Sequence, residues 1–146
     1  MPFLFSLESL LRFRASQERA ERLKLEAIVA EQAQIRVQMQ ELAGAALEAY
    51  GAFQRRLIGG VTGAEWQLEL QRIANFEISR NRLRSRLAES EQRRLLQAEA
   101  FVGARRNREI LEELRRRRLS EYRSAEARRE QQELDDLFLI ARRDHL

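Results

Sequence analysis

The chain has 146 residues, a formal charge of +4 and 34% charged residues, with one proline and 7% aromatics. That balance belongs to long helices and not to a domain with a thick core. The absence of cysteine excludes disulfides and thiolate metal sites, and no run approaches the ~18 apolar residues that a membrane span needs.

Met1-Pro2-Phe3-Leu4-Phe5 lacks the basic region of a signal peptide and passes directly into a patterned helix, so a cytoplasmic protein is expected. Ser6 is read as the first helix's N-cap. From there a seam advances in alternating steps of three and four: Leu7, Leu11, Arg14, Glu18, Glu21, Leu25, Ile28, Gln32, Ile35, Met39, Leu42, Ala46, Ala49 and Phe53. A heptad rhythm held for about six heptads predicts supercoiling against a partner helix. At ~1.5 Å per residue this helix spans roughly 80 Å. Arg14, Glu18, Glu21 and Gln32 make the seam impure, and such residues pair or snorkel at the edge of a thin hairpin. Ala43, Gly44, Ala45 and Ala46 predict a narrowing before the turn, and Tyr50 sits one turn before Phe53.

Three of the six glycines fall between residues 59 and 63. Gly59 and Gly60 suit a helix C-cap, and Thr62 with Glu65 reads as a capping box that starts a second helix. So short a connection makes the two helices antiparallel neighbours.

In the second helix the stepping recurs less cleanly, through Trp66, Ile73, Phe76, Leu83, Leu87, Phe101, Ala104, Leu111, Tyr122 and Ala125. Glu69, Arg80, Arg94, Arg108 and Arg118 interrupt it, while Leu95, Ala98 and Val102 offer a parallel stripe. A drifting seam or a kink is therefore expected between about Ser90 and Gly103. Over ~80 residues the second helix exceeds the first by about 20 residues, so part of it lacks a partner or folds back. Leu134, Leu137, Phe138 and Ile140 close the chain, and an antiparallel hairpin is expected to set them beside Phe3, Phe5 and Leu7. Such an apolar tip either caps itself or enters a partner.

No catalytic constellation stands out. The single histidine, His145, is penultimate; there is no GK[ST] after the glycines and no Gly-x-Ser-x-Gly. Asp135 and Asp136 diverge by ~100° on a helix. No enzyme, metal or cofactor is expected. The pI near 10.5 invites a nucleic-acid reading. Charges of both signs interleave, however: residues 105–146 hold 12 arginines against 10 acidic side chains. That describes a solvated helix surface, and no nucleic-acid partner is expected.

Several stretches together resemble the flagellar export protein FliJ family, soluble coiled-coil components of the flagellar type III export apparatus. They are Phe5-Ser6-Leu7-x-x-Leu10-Leu11-x-x-Arg14-x-x-x-Glu18 and Gly60-Val61-Thr62-x-x-x-Trp66, then Leu114-Arg115-Arg116-Arg117, Glu121-Tyr122-Arg123, and Arg128-Arg129-Glu130-Gln131-x-Glu133-Leu134-Asp135-Asp136. The resemblance implies an all-α, long antiparallel two-helix coiled-coil hairpin like the central stalk of rotary ATPases. One such hairpin is expected over 1–146, with helices at about 5–58 and 64–143 and a turn at about 59–63. The implied role is flagellum biogenesis and motility. The hairpin would couple a hexameric export ATPase to the cytoplasmic part of the transmembrane export gate and escort export chaperones, at the inner face of the cell membrane. Positions matching the family's gate contact are Gln38, Leu42, Tyr50 and Phe76. The ATPase ring is expected to meet the apolar tip, Phe3, Phe5, Leu7, Leu137 and Phe138, with Arg142 and Arg143 pairing its carboxylates. A stalk protein of an injectisome-type system, or a homodimeric coiled-coil scaffold, would fit the same pattern.

Overall fold

The computed structural model describes residues 2–145; Met1 and Leu146, the ends of the expected hairpin, lie outside the described residues. The fold is all-α, built from α1 (Glu8–Ile58) and α2 (Gly63–Asp144), two long helices packed against each other. The chain divides into two compact units. One comprises Met1–Ala20 with Val102–Leu146, and the other comprises Glu21–Phe101.

The Glu21–Phe101 unit contains the turn. The predicted seam of α1 is its buried stripe: Gln32, Ile35 and Phe53 are buried, and Glu21, Leu25, Ile28, Met39, Leu42, Ala46 and Ala49 are half-buried. Across from it, α2 does not drift. Helix α2 is unbroken between Ser90 and Gly103, and its inward stripe continues through polar residues, with Ser90 fully buried and Glu91, Arg94 and Gln97 half-buried. Leu95 and Val102, which offered an alternative stripe, are 48% and 44% exposed. The physical reason is that polar seam positions on the two helices face one another. The Gln32 amide donates to Glu91 Oε2 at 2.7 Å, and the Gln97 amide donates to the Glu21 carbonyl at 3.0 Å and to its carboxylate. Arg94 holds the same Glu91 carboxylate at 2.5 and 2.9 Å. Together Arg94 and Gln32 lower the Glu91 carboxyl to about 2.

At the turn, Gly60 takes φ +85°, the left-handed conformation that glycine reaches without a Cβ penalty. The amides of Gly59 and Gly60 donate to the carbonyls of Arg56 and Leu57, both at 3.1 Å, closing α1. Thr62 Oγ1 accepts from the Glu65 amide at 3.2 Å, one half of the expected capping box. The other half is absent, because the Glu65 carboxylate reaches across the turn to Arg56 at 3.3 Å. Phe53 packs on Trp66, with ring centroids 5.6 Å apart.

In the other unit, α1 begins at Glu8 and Ser6 is not its cap: the Ser6 hydroxyl accepts from Arg118 at 3.2 Å. Glu18 pairs with Arg108, and Glu8 with Arg115 at 3.2 Å, so numbers rise along α1 as they fall along α2. Leu111 is buried between them. The segment ahead of α1 lies along α2: Phe3 stacks on Tyr122 with centroids 5.6 Å apart, under Arg115, and Phe5 is buried beneath Arg118.

Candidate functional site

The expected apolar tip does not assemble. Phe3 and Phe5 meet α2 at Arg115, Arg118 and Tyr122, short of Leu134, Leu137, Phe138 and Ile140. The cause is length. Helix α2 has 82 residues against 51 in α1, and every residue from 127 to 145 is exposed. The surplus anticipated from the heptad runs is a stretch of helix without a partner among the described residues, and it does not fold back. Of the seven residues expected to meet an ATPase ring, Phe5 is buried in the protein's own packing, while Phe3 and Leu7 are half-buried. Leu137 and Phe138 remain, 63% and 67% exposed, with Arg142 and Arg143 exposed beside them.

The residues matched to the gate contact do come together. Leu42, Tyr50 and Phe76 line one apolar cavity of about 510 Å³ between α1 and α2, with Met39, Ala46 and Ile73. Ala43, Ala46 and Ala49 contribute to its wall. Small side chains here open a hollow, where the sequence suggested a narrowing. Leu42 also borders a second groove with Gln38, Leu83, Arg82 and Arg86, and Arg86 donates to Gln38 Oε1 at 3.4 Å. Tyr50 is 53% exposed, and its hydroxyl accepts from the Gln54 amide at 3.0 Å. Tyr50 and Ile73 join the cavity to a third hollow lined by Phe53, Leu57, Trp66 and Leu70. The apolar surface thus continues to the turn. Size and lining suit a docking groove for another protein's side chains.

Sequence reasoning treated Arg80 as an interruption and gave no weight to the run it begins. Residues 78–88 contain Arg80, Arg82, Arg84 and Arg86 and no carboxylate, and Arg36 shares a hollow with Arg84 on the α1 side. Among the described residues no carboxylate lies within ion-pairing distance of Arg36, Arg80, Arg82 or Arg84. Elsewhere the same surface pairs closely, as in Arg93–Glu31 at 2.8 Å and Arg105–Glu109 at 2.8 Å. An arginine run without interleaved acids was the available signal.

A model of the flagellar FliJ protein family matches residues 3–145. The chain belongs to that family. It is accordingly a component of the flagellar export apparatus. No curated protein and no solved structure matches the chain. In this FliJ-family chain no helix is long and apolar enough to cross a membrane, and among the described residues no group of acidic or histidine side chains could hold a metal ion.

Proposed function

We propose that this protein is a non-enzymatic stalk that couples the hexameric export ATPase to the cytoplasmic part of the export gate, at the inner face of the cell membrane. The observation that carries the reading is the convergence of Leu42, Tyr50 and Phe76 on one open apolar cavity, with Gln38 in the adjoining groove. Nothing in the packing of the Glu21–Phe101 unit requires an exposed tyrosine and a hollow there. A partner's apolar side chains would gain ~1.5–3 kcal/mol each on burial, before ordering costs. The ATPase contact then falls to the exposed Leu137, Phe138, Arg142 and Arg143, with Phe3, Phe5 and Leu7 in a supporting role. Escort of export chaperones would use the same exposed helical surfaces.

The test is capture of the purified gate fragment and stimulation of the purified ATPase by the full chain. Leu42→Ser with Phe76→Ser should abolish gate capture and spare ATPase stimulation; Leu137→Ser with Phe138→Ser should do the reverse. Gate capture that survives the first pair would remove the groove from the mechanism.

A further inference from the structure

The run Arg115-Arg116-Arg117-Arg118 is divided between two uses. Arg116 and Arg117 pair with Glu113 of their own helix, at 3.3 and 3.5 Å, and stay exposed. Arg115 and Arg118 turn instead to the segment ahead of α1. The Arg115 guanidinium lies 5.8 Å from the centre of the Phe3 ring. That of Arg118 lies 5.9 Å from the centre of the Phe5 ring and donates to the Ser6 hydroxyl at 3.2 Å. Tyr122, one turn further on, stacks on Phe3. Residues 115, 118 and 122 are spaced by three and four, so they share one face of α2. Against that face the segment is not helical, and its side chains alternate: Phe5 is buried and Phe3 half-buried, while Leu4 between them is 87% exposed. Among the described residues no backbone hydrogen bond ties this segment to α2. The amides of Glu8 and Leu11, donating to the Phe5 and Leu7 carbonyls, tie it only to the start of α1. Phe3, Phe5 and Ser6 therefore hold it down by their side chains alone, and it can lift without unwinding either helix.

We infer that the Arg115, Arg118 and Tyr122 face of α2 is a binding site for an extended aromatic-x-aromatic segment, and that residues 3–6 of this chain are its displaceable occupant. The recognition is chemical. Two guanidinium groups and a phenol ring offer cation–π and stacking contacts to any two rings separated by one residue. Arg118 has no carboxylate partner among the described residues, so it is free to donate to a hydroxyl that follows the second ring, as Ser6 does here. Another protein that carries such a segment competes with the chain's own. The resident segment is tethered, which gives it an effective concentration on the order of millimolar. The site is therefore closed by its own chain until a stronger or more concentrated segment displaces it.

The inference does not rest on the gate or ATPase reading, and its test needs neither partner. A fluorescent peptide of residues 2–7, Pro-Phe-Leu-Phe-Ser-Leu, is titrated into the full chain and followed by anisotropy. It should bind the parent weakly. Phe3→Ala with Phe5→Ala empties the site, and the peptide should bind that chain about tenfold or more tightly than the parent. Phe3→Leu with Phe5→Leu keeps apolar bulk against α2 and removes only the ring contacts, so it should open the site with helix content by circular dichroism unchanged. Adding Arg118→Ala and Tyr122→Ala to either opened chain should abolish binding. Alanine at both phenylalanines of the peptide should do the same. A peptide that binds neither opened chain more tightly than the parent overturns the inference. So does binding that survives the loss of Arg118 and Tyr122, or of the peptide's own rings.

Discussion

Arg108 of α2 donates into the carboxylate of Glu18 of α1, although both residues stand at positions where a two-helix seam would ordinarily carry leucine. Glu112 takes a second guanidinium nitrogen at 2.5 Å. Their side chains retain only 22% and 15% exposure, so the pair is partly removed from water. Breaking it leaves one poorly solvated charge, and Arg108→Ala should destabilise the chain by about 1–2 kcal/mol, between surface and buried values. Replacing both partners by leucine should be neutral or stabilising. Urea unfolding of the two singles and the double variant decides it. An Arg108→Ala as mild as the exposed Arg116→Ala would show that the pair contributes nothing.

Among the described residues Ile35 and Ser90 are the two largest fully buried side chains, and they call for opposite outcomes. Ile35→Ala removes a packed aliphatic group at the helix interface and should cost about 2–4 kcal/mol. The Ser90 hydroxyl is buried without a hydrogen-bond partner, so Ser90→Ala should stabilise by about 1 kcal/mol. Thermal melts of both variants, with the 67%-exposed Leu96→Ala as control, check the pair. A destabilised Ser90→Ala would mean that the hydroxyl finds a partner in solution.

The first helix was legible almost in full, and the second only in part, for one physical reason. In α1 the polar seam residues Glu18, Glu21 and Gln32 fall between leucines and isoleucines that keep the rhythm audible. In α2 Ser90, Arg94, Gln97 and Arg108 follow one another with few apolar residues between them. The polar seam residues Glu91, Gln97 and Arg108 fit there through partners 59, 76 and 90 residues away, which no local pattern contains. The groove was reached through Gln38, Leu42, Tyr50 and Phe76 as matched positions; heptad spacing alone gave no cavity. The misplaced tip was an error of arithmetic. Unequal helix lengths were already readable, and they forbid the ends of two such helices from meeting.

Acid should weaken the Glu21–Phe101 unit in a defined window. Hydrogen bonds from Gln97, from Arg93 and from Arg94 with Gln32 hold Glu21, Glu31 and Glu91, in that order, below the ordinary carboxyl value of 4.5. A carboxyl depressed in the folded state contributes stability in full above its unfolded value and loses it as pH falls through the folded one. Stability should therefore hold from pH 7 to about 5 and decline from 4.5 toward about 2. Glu91→Gln should flatten that decline in melts followed by circular dichroism. An unchanged slope would exclude Glu91 as its source.

The turn should be sensitive at two atoms. Gly60→Ala puts a Cβ on a residue at φ +85°, and about 1–2 kcal/mol of strain should appear although open space surrounds it. Thr62→Ala removes the acceptor for the Glu65 amide and should cost about 1 kcal/mol. Denaturant midpoints measure both. A Gly60→Ala chain as stable as the parent would mean that the turn adopts another conformation.

Among the described residues the buried apolar side chains are Phe5 ahead of α1, Ile35 and Phe53 on α1, and Leu111 on α2. They are few and are shared between the two compact units, so neither unit is built around a thick core. The chain's cohesion resembles that of a zip fastener: teeth can part over one stretch while others stay engaged. Heating such a chain should give a broad melt whose midpoint shifts with the probe, and amide exchange should be graded along the helices, not all-or-none. A chain held together in this way can yield locally and close again without ever passing through a fully unfolded state.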